Sequence, residues 1–305
     1  TSQNLYQTIE TFIQTAQFDA LIDTSKLALA DARSRSDKST ELLSLLGLAE
    51  GYKYLGKFKE ARLLVNGALT LAEQLNDTEL ISLSLLLSGD IYLKTAFQSH
   101  EADRDCRQAL ALAHDMDNPR LVVDALNGIS SALEQMNETA RAQRFARQAF
   151  DVAHANSYRH GITRALSLVG SASMRTKPEK AMQAFEDAIK IARQDNFRLL
   201  ELRLLGLLGQ LLAHQERYAE DGQRMLEKML AMAQGKVRCG ACLGVFQATE
   251  HILKPRQQVS IATEPTQVEK TEVFEADVQI NETSVEPSVE KNIEDLQRQM
   301  QSQVQ

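Results

Sequence analysis

Phe58-Lys-Glu-Ala61-Arg-Leu-Leu-Val-Asn-Gly-Ala68-Leu-Thr-Leu-Ala72 sets three alanines seven and four residues apart. At that spacing all three share one face of a helix. The same arrangement returns in Ala102 with Ala109, Ala142 with Ala149 and Ala181 with Ala188, and the second members, counted from Ala68, lie 41, 40 and 39 residues apart. Each is followed by an apolar residue and a further alanine: Leu71-Ala72, Leu112-Ala113, Val152-Ala153 and Ile191-Ala192. Phe18, Ala28 and Ala32 place an earlier copy on the same ruler. A fixed period of this size marks stacked supersecondary units, none of which can bury its apolar face alone.

Working outward, each alanine helix is preceded by another helical segment. Thr40 to Leu55, with Ser39 or Thr40 as N-cap, precedes Phe58 to Leu75 across the Gly56-Lys57 turn. Glu79 to Thr95 pairs with His100 to Asp115, Arg120 to Gln135 with Glu138 to Ala155, and Gly161 to Arg175 with Pro178 to Gln194. A last pair covers Phe197 to His214 and Tyr218 to about Ala233. Asn118-Pro119 reads as a helix opening with proline in the first turn. Turns this short force the paired helices to pack antiparallel. The alanines let partner helices approach closely enough to interdigitate their leucines.

These landmarks resemble the tetratricopeptide repeat in its lengthened form of about forty residues, over residues 1–233. The second copy supplies Gly56, Phe58, Ala61 and Ala68, and the fifth supplies Ala181, Phe185 and Ala188. The fourth copy has Asn137 and Thr139 in place of the glycine and aromatic. Gly47, Gly89, Gly128, Gly170 and Gly209 mark the first helices at varying offsets, which predicts differing helix lengths or turns. In the sixth copy Asp221 and Lys228 stand at the alanine positions, which makes it a candidate cap. The resemblance implies an all-α, right-handed α-solenoid of five to six antiparallel helix pairs, with first helices lining a concave wall.

Carried over position by position, the resemblance places a peptide- or helix-binding groove on Glu50, Lys53 and Tyr54, on Asp124, Asn127 and Ser131, on Arg164, Ser167 and Ser171, and on Arg203 and Gln210. The expected function is a noncatalytic scaffold or recognition module for a protein partner. Forty-residue variants are also typical of bacterial regulators, so a ligand- or peptide-sensing domain is the alternative. The chain has no phosphate-cradling glycine loop, no H-E-x-x-H and no nucleophile elbow, and its histidines are scattered. His114 and His154 fall at nearly equivalent ends of second helices, where a cation meets the helix dipole favourably.

Charge divides unevenly along the 305 residues. The net charge is −7, of which residues 256–305 carry −6 (ten acidic, four basic) and everything before them −1. A nearly neutral repeat body argues against a phosphate-gripping nucleic-acid surface. No stretch approaches the roughly twenty apolar residues of a membrane span. The chain opens Thr1-Ser2-Gln3 without methionine, which leaves a processed envelope protein as the alternative to the expected cytoplasmic location.

Three cysteines make no disulfide framework, and Cys106 falls at a buried helical position. Cys239 and Cys242 stand among glycines in a C-x-x-C knuckle within residues 234–255. Residues 230–248 resemble the second half of a bacterial zinc ribbon whose first pair is missing here. Three readings stay open: an orphan half-motif without metal, a zinc site completed by His251, another histidine or a second chain, and a redox pair. Beyond Pro255 glycine disappears and polar residues dominate, so residues 256–305 read as a mostly disordered acidic tail with a short helix over Glu290 to Val304.

Overall fold

A computed structural model describes residues 2–95, 98–215 and 219–233. Among them every regular element is a helix, and there are twelve: α1 Ser2–Gln14, α2 Phe18–Ser34, α3 Lys38–Tyr54, α4 Phe58–Leu75, α5 Thr78–Lys94, α6 Ser99–Asp115, α7 Pro119–Gln135, α8 Thr139–Ala155, α9 Arg159–Ser173, α10 Pro178–Gln194, α11 Arg198–Ala213 and α12 Ala219–Ala233. The chain divides into units Thr1–Leu253 and Lys254–Gln305, and the described residues all belong to the first. The acidic tail, Cys239 and Cys242 lie outside the described residues. Consecutive helices pack against one another throughout, giving an α-solenoid of six pairs.

One turn builds most of the connections. Ala16, Ser36, Gly56, Asn76, Asp117, Asn137, Ser157 and Asn196 all adopt positive φ just after a helix. In each case the next residue's amide reaches back to a carbonyl in the last turn, as in Asp37 N to Ala32 O at 2.9 Å and Tyr158 N to Ala153 O at 2.9 Å. That left-handed closure satisfies carbonyls which the helix end would otherwise orphan. Glycine occupies it once, at Gly56. The turn is therefore fixed by geometry and only weakly written in residue type.

The alanine ruler reports the packing faithfully. Ala61, Ala68, Ala102, Ala109, Ala142, Ala149, Ala181 and Ala188 are all buried, as are Ala72, Ala113, Ala153 and Ala192. The first copy departs from it, because Ala28 is half-buried while Leu29 and Ala32 turn inward. The sixth copy keeps the pattern one residue later than the sequence reading places it. Asp221 is exposed, whereas Gly222 and Leu226 are buried against α11, where the Gly222 backbone lies too close for any side chain. Gly222 is thus the sixth counterpart of Ala181.

The first helices do differ in length, α3, α5 and α7 having 17 residues, α9 15 and α11 16, but the glycine offsets also differ between helices of equal length and so have a further cause. Gly47 and Gly128 face the outer helix before them, meeting Ser25 and Cys106. Gly89, Gly170 and Gly209 face the outer helix after them, meeting Cys106, Phe185 and Leu226. A first helix has two flanks, so close approach can demand glycine in either of two registers. Counted from the N-caps Asp37, Asn118, Asp77, Tyr158 and Phe197, those registers are ten and twelve residues in.

Candidate functional site

The odd-numbered helices form the inner layer. Each touches the next, α1 to α3 and onward to α11, and α11 returns to touch α1. Leu199 of α11 seals this closure by packing on the Ile9, Phe18 and Leu21 cluster. The concave wall therefore closes into a ring around a cavity of about 490 Å³, lined by all six inner helices. A pocket of this size, lined by side chains and mostly apolar, has the form of a small-ligand site.

Local rules of helix formation hold on one arc of this ring and fail on the other. Asp37, Asp77 and Asn118 cap α3, α5 and α7 by accepting from the amides of Thr40, Leu80 and Leu121. Forty residues after Asn118 the capping position holds Tyr158, and thirty-nine after that it holds Phe197, neither of which makes a side-chain cap. Both aromatics line the cavity instead. His160 lies between them, edge-on to Phe197 at 5.2 Å between ring centroids and with Nδ1 3.4 Å from the Tyr158 hydroxyl. Departures from local preference collect at functional sites. The expected N-cap at Ser39 or Thr40 is corrected by the same geometry: Asp37 takes that role, since its carboxylate reaches both the amide and hydroxyl of Thr40.

Two ionic clusters face the interior. In the first, Lys53 Nζ lies 2.6 Å from Asp90 Oδ2 and 2.6 Å from Glu50 Oε2, the latter an ionic contact outside hydrogen-bond geometry, with the Tyr54 ring 4.6 Å from the ammonium. Burial opposes the charge on Lys53, but Asp90 and then Glu50 outweigh it and hold its pKa well above the ordinary lysine value. Burial likewise opposes the charge on Asp90, yet Lys53, Lys94 and Arg164 keep it below the usual carboxylate range. For Glu50 burial wins, and its pKa rises.

The second cluster joins α7, α9 and α1. Arg164 Nη1 is 3.5 Å from Asp124 Oδ1, and the Tyr158 hydroxyl donates to Asp124 Oδ2 at 3.2 Å. Arg120 pairs with Glu10 of α1, its guanidinium lying 5.9 Å from the Tyr6 ring and 5.3 Å from the Tyr158 ring. Burial, reinforced by Arg164 and Arg120, pushes the His160 pKa down to about 3, so the imidazole is neutral near pH 7. Burial raises Asp124. At Cys106, burial and then Asp90 push the thiol up to about 12.

Of the groove residues expected from sequence, Glu50, Lys53, Tyr54, Asp124, Arg164 and Arg203 line the cavity. Asn127 and Ser167 do not; both are buried, and no hydrogen-bond partner for either side chain is found among the described residues. Their register, nine residues from the N-cap, is filled by Leu46 and Leu86 in the earlier copies, which do face the cavity. Ser131, Ser171 and Gln210 are partly buried and outside the lining, and Ser131 donates its hydroxyl to Asn127 O at 2.9 Å. Sequence reasoning missed Tyr6, Glu10, Asp90, Arg120, Tyr158 and His160. Asp90 was within reach, since it is the third copy's equivalent of Glu50, forty residues on. Glu10 carried no signal, because α1 lacks the repeat landmarks.

No helix among the described residues is long and apolar enough to cross a membrane. Neither a protein-family model nor a curated protein matches the chain. Among solved structures it is similar to the crystal structure of BtubC (BKLC) from P. vanneervenii, with a TM-score of 0.51 at 15% identity. That match covers 85% of this chain and 99% of the other, and at so low an identity it speaks to the helical repeat fold alone.

Proposed function

We propose that this solenoid is a noncatalytic recognition module of the tetratricopeptide class, which takes a small ligand or a short peptide segment into the centre of its inner ring. The observation that carries the reading is the cavity itself: ionic groups from α3, α5, α7 and α9 converge on an otherwise leucine-lined space of about 490 Å³. Such a volume suits a few residues, whereas a partner helix about 10 Å across would need an open trough along several turns. The polar groups that converge there pair with one another in ionic contacts, as a site built for orientation and selectivity requires.

The sensor reading gains from the closure of α1 on α11 and from the Glu10–Arg120 pair. A ligand that binds the open and closed forms of the ring with different affinity shifts the ring's opening equilibrium, which is the means by which a module of this kind would report occupancy. A peptide array tests the proposal, comparing the natural protein with an Asp124→Arg, Arg164→Asp exchange that keeps an ion pair but reverses its direction. Loss of the bound peptides with little change in melting temperature is expected. Binding that survives the exchange would place recognition elsewhere.

A further inference from the structure

We infer that the ring interior is a site for an aliphatic carboxylate, with Arg120 and Arg164 receiving the head group, leucines of α3, α5 and α11 receiving the body, and Glu10 of α1 serving as the chain's own competitor for Arg120. This inference rests on the cavity being a recognition site and specifies its ligand.

Three observations lead to it. First, the lining carries five basic side chains against four acidic ones, and Glu10 is one of the four. When α1 withdraws, the remaining wall has two more positive than negative groups, and an incoming carboxylate replaces the charge that Glu10 removes. Second, the guanidiniums have donors to give. Among the described residues Arg164 makes one ion pair, at 3.5 Å, although a guanidinium offers five N–H groups. Arg120 is held between the rings of Tyr6 and Tyr158, which orients it toward the carboxylate that approaches from α1. Third, the rest of the wall is aliphatic, with Leu43, Leu46, Leu83, Leu86, Leu199 and Leu202 facing the same space. A small hydrophilic anion would leave those leucines in contact with water, whereas an alkyl chain covers them.

The element that carries the competing carboxylate is also lightly anchored. Ile9 is the single fully buried side chain of α1 among the described residues, while α3 buries residues along its whole length. Segments with few buried contacts open at low free-energy cost. Displacing Glu10 therefore couples head-group binding to release of α1 from the ring.

Titration calorimetry of the full chain with sodium decanoate, and with decan-1-ol as the uncharged control, tests this, together with hydrogen exchange over residues 2–14. Saturable decanoate binding is expected, with decanol at least about tenfold weaker. Glu10→Gln removes the competitor and should bind decanoate about tenfold more tightly, while Arg120→Gln should bind it about tenfold more weakly. Amides of α1 should exchange faster when decanoate is bound. Equal affinities for decanoate and decanol, no gain in Glu10→Gln, or unchanged α1 exchange on saturation would overturn the inference. Should Arg120→Gln fail to fold, the gain in Glu10→Gln decides the matter alone. If decanoate does not bind while an array peptide does, this inference falls and the recognition reading stands; if neither binds, both fall.

Discussion

At Gly222 a methyl group would lie 2.4 Å from the backbone nitrogen of Ala213 and 2.9 Å from its Cα. Alanine is the better helix former by about 1 kcal/mol, but backbone cannot yield as a side chain can, so the clash decides the sign. Gly222→Ala should destabilise the chain by about 1–3 kcal/mol in chemical denaturation, against the stabilisation that propensity alone predicts. His160 offers a second residue-scale test. Its folded pKa of about 3 lies below the ordinary 6.5, so between those values the unfolded chain takes up a proton that the folded chain refuses. Stability must fall as pH drops through that window, by at most about 1.4 kcal/mol per pH unit from this group. Comparing unfolding free energies of the natural protein and His160→Gln from about pH 6.5 to about pH 4 should show a shallower slope in the variant. Parallel slopes would mean that the imidazole is hydrated in the folded state.

Helices and turns were legible to different degrees, for reasons that lie in their chemistry. Phe58–Leu75 and Pro178–Gln194 can be read to the residue because alanine periodicity agrees with the Gly56-Lys57 turn and the left-handed Asn76 at the first, and with a proline in the first turn at the second. The recurring left-handed turn could be read at Gly56 and Asn76 but not at Ala16, Ser36 or Ser157, where residue type argues against it. Those positions should profit from glycine: the left-handed conformation costs a non-glycine residue roughly 1–2 kcal/mol, more than the added chain entropy of glycine takes back. Ser36, exposed in its turn, is the clean test: Ser36→Gly is expected to raise the melting temperature slightly, and a fall would show that its hydroxyl contributes more than the turn costs. Ala149 makes the opposite case. It is fully buried among Val122, Val123 and their neighbours, so Ala149→Leu should cost about 1–3 kcal/mol by overpacking, read as a lower denaturation midpoint at unchanged slope.

For the molecule as a whole, translational stacking was legible and closure was not. Period, helix pairing and the concave placement of Glu50, Asp124 and Arg164 follow from local spacing, which a single repeat already contains. Closure depends on contacts between residues far apart in sequence, Glu10 with Arg120 and Leu199 with Ile9, and α1 bears no repeat signature to announce them. The same gap explains why Asn127 and Ser167 read as groove residues: the register that faces the cavity in α3 and α5 rotates into the helix interface in α7 and α9.

Cys106 wedges α6 between two glycines, Gly89 and Gly128, each of which would press a methyl group to within 2.7 Å of its sulfur. With 1% exposure and a thiol pushed up to about 12, it offers a disulfide reagent almost no surface and almost no thiolate while its neighbours hold their places. The chain thus carries its own clock. The rate at which Cys106 labels counts how frequently the molecule breathes, without any dye or engineered mark, and anything that steadies the inner wall should lengthen its tick.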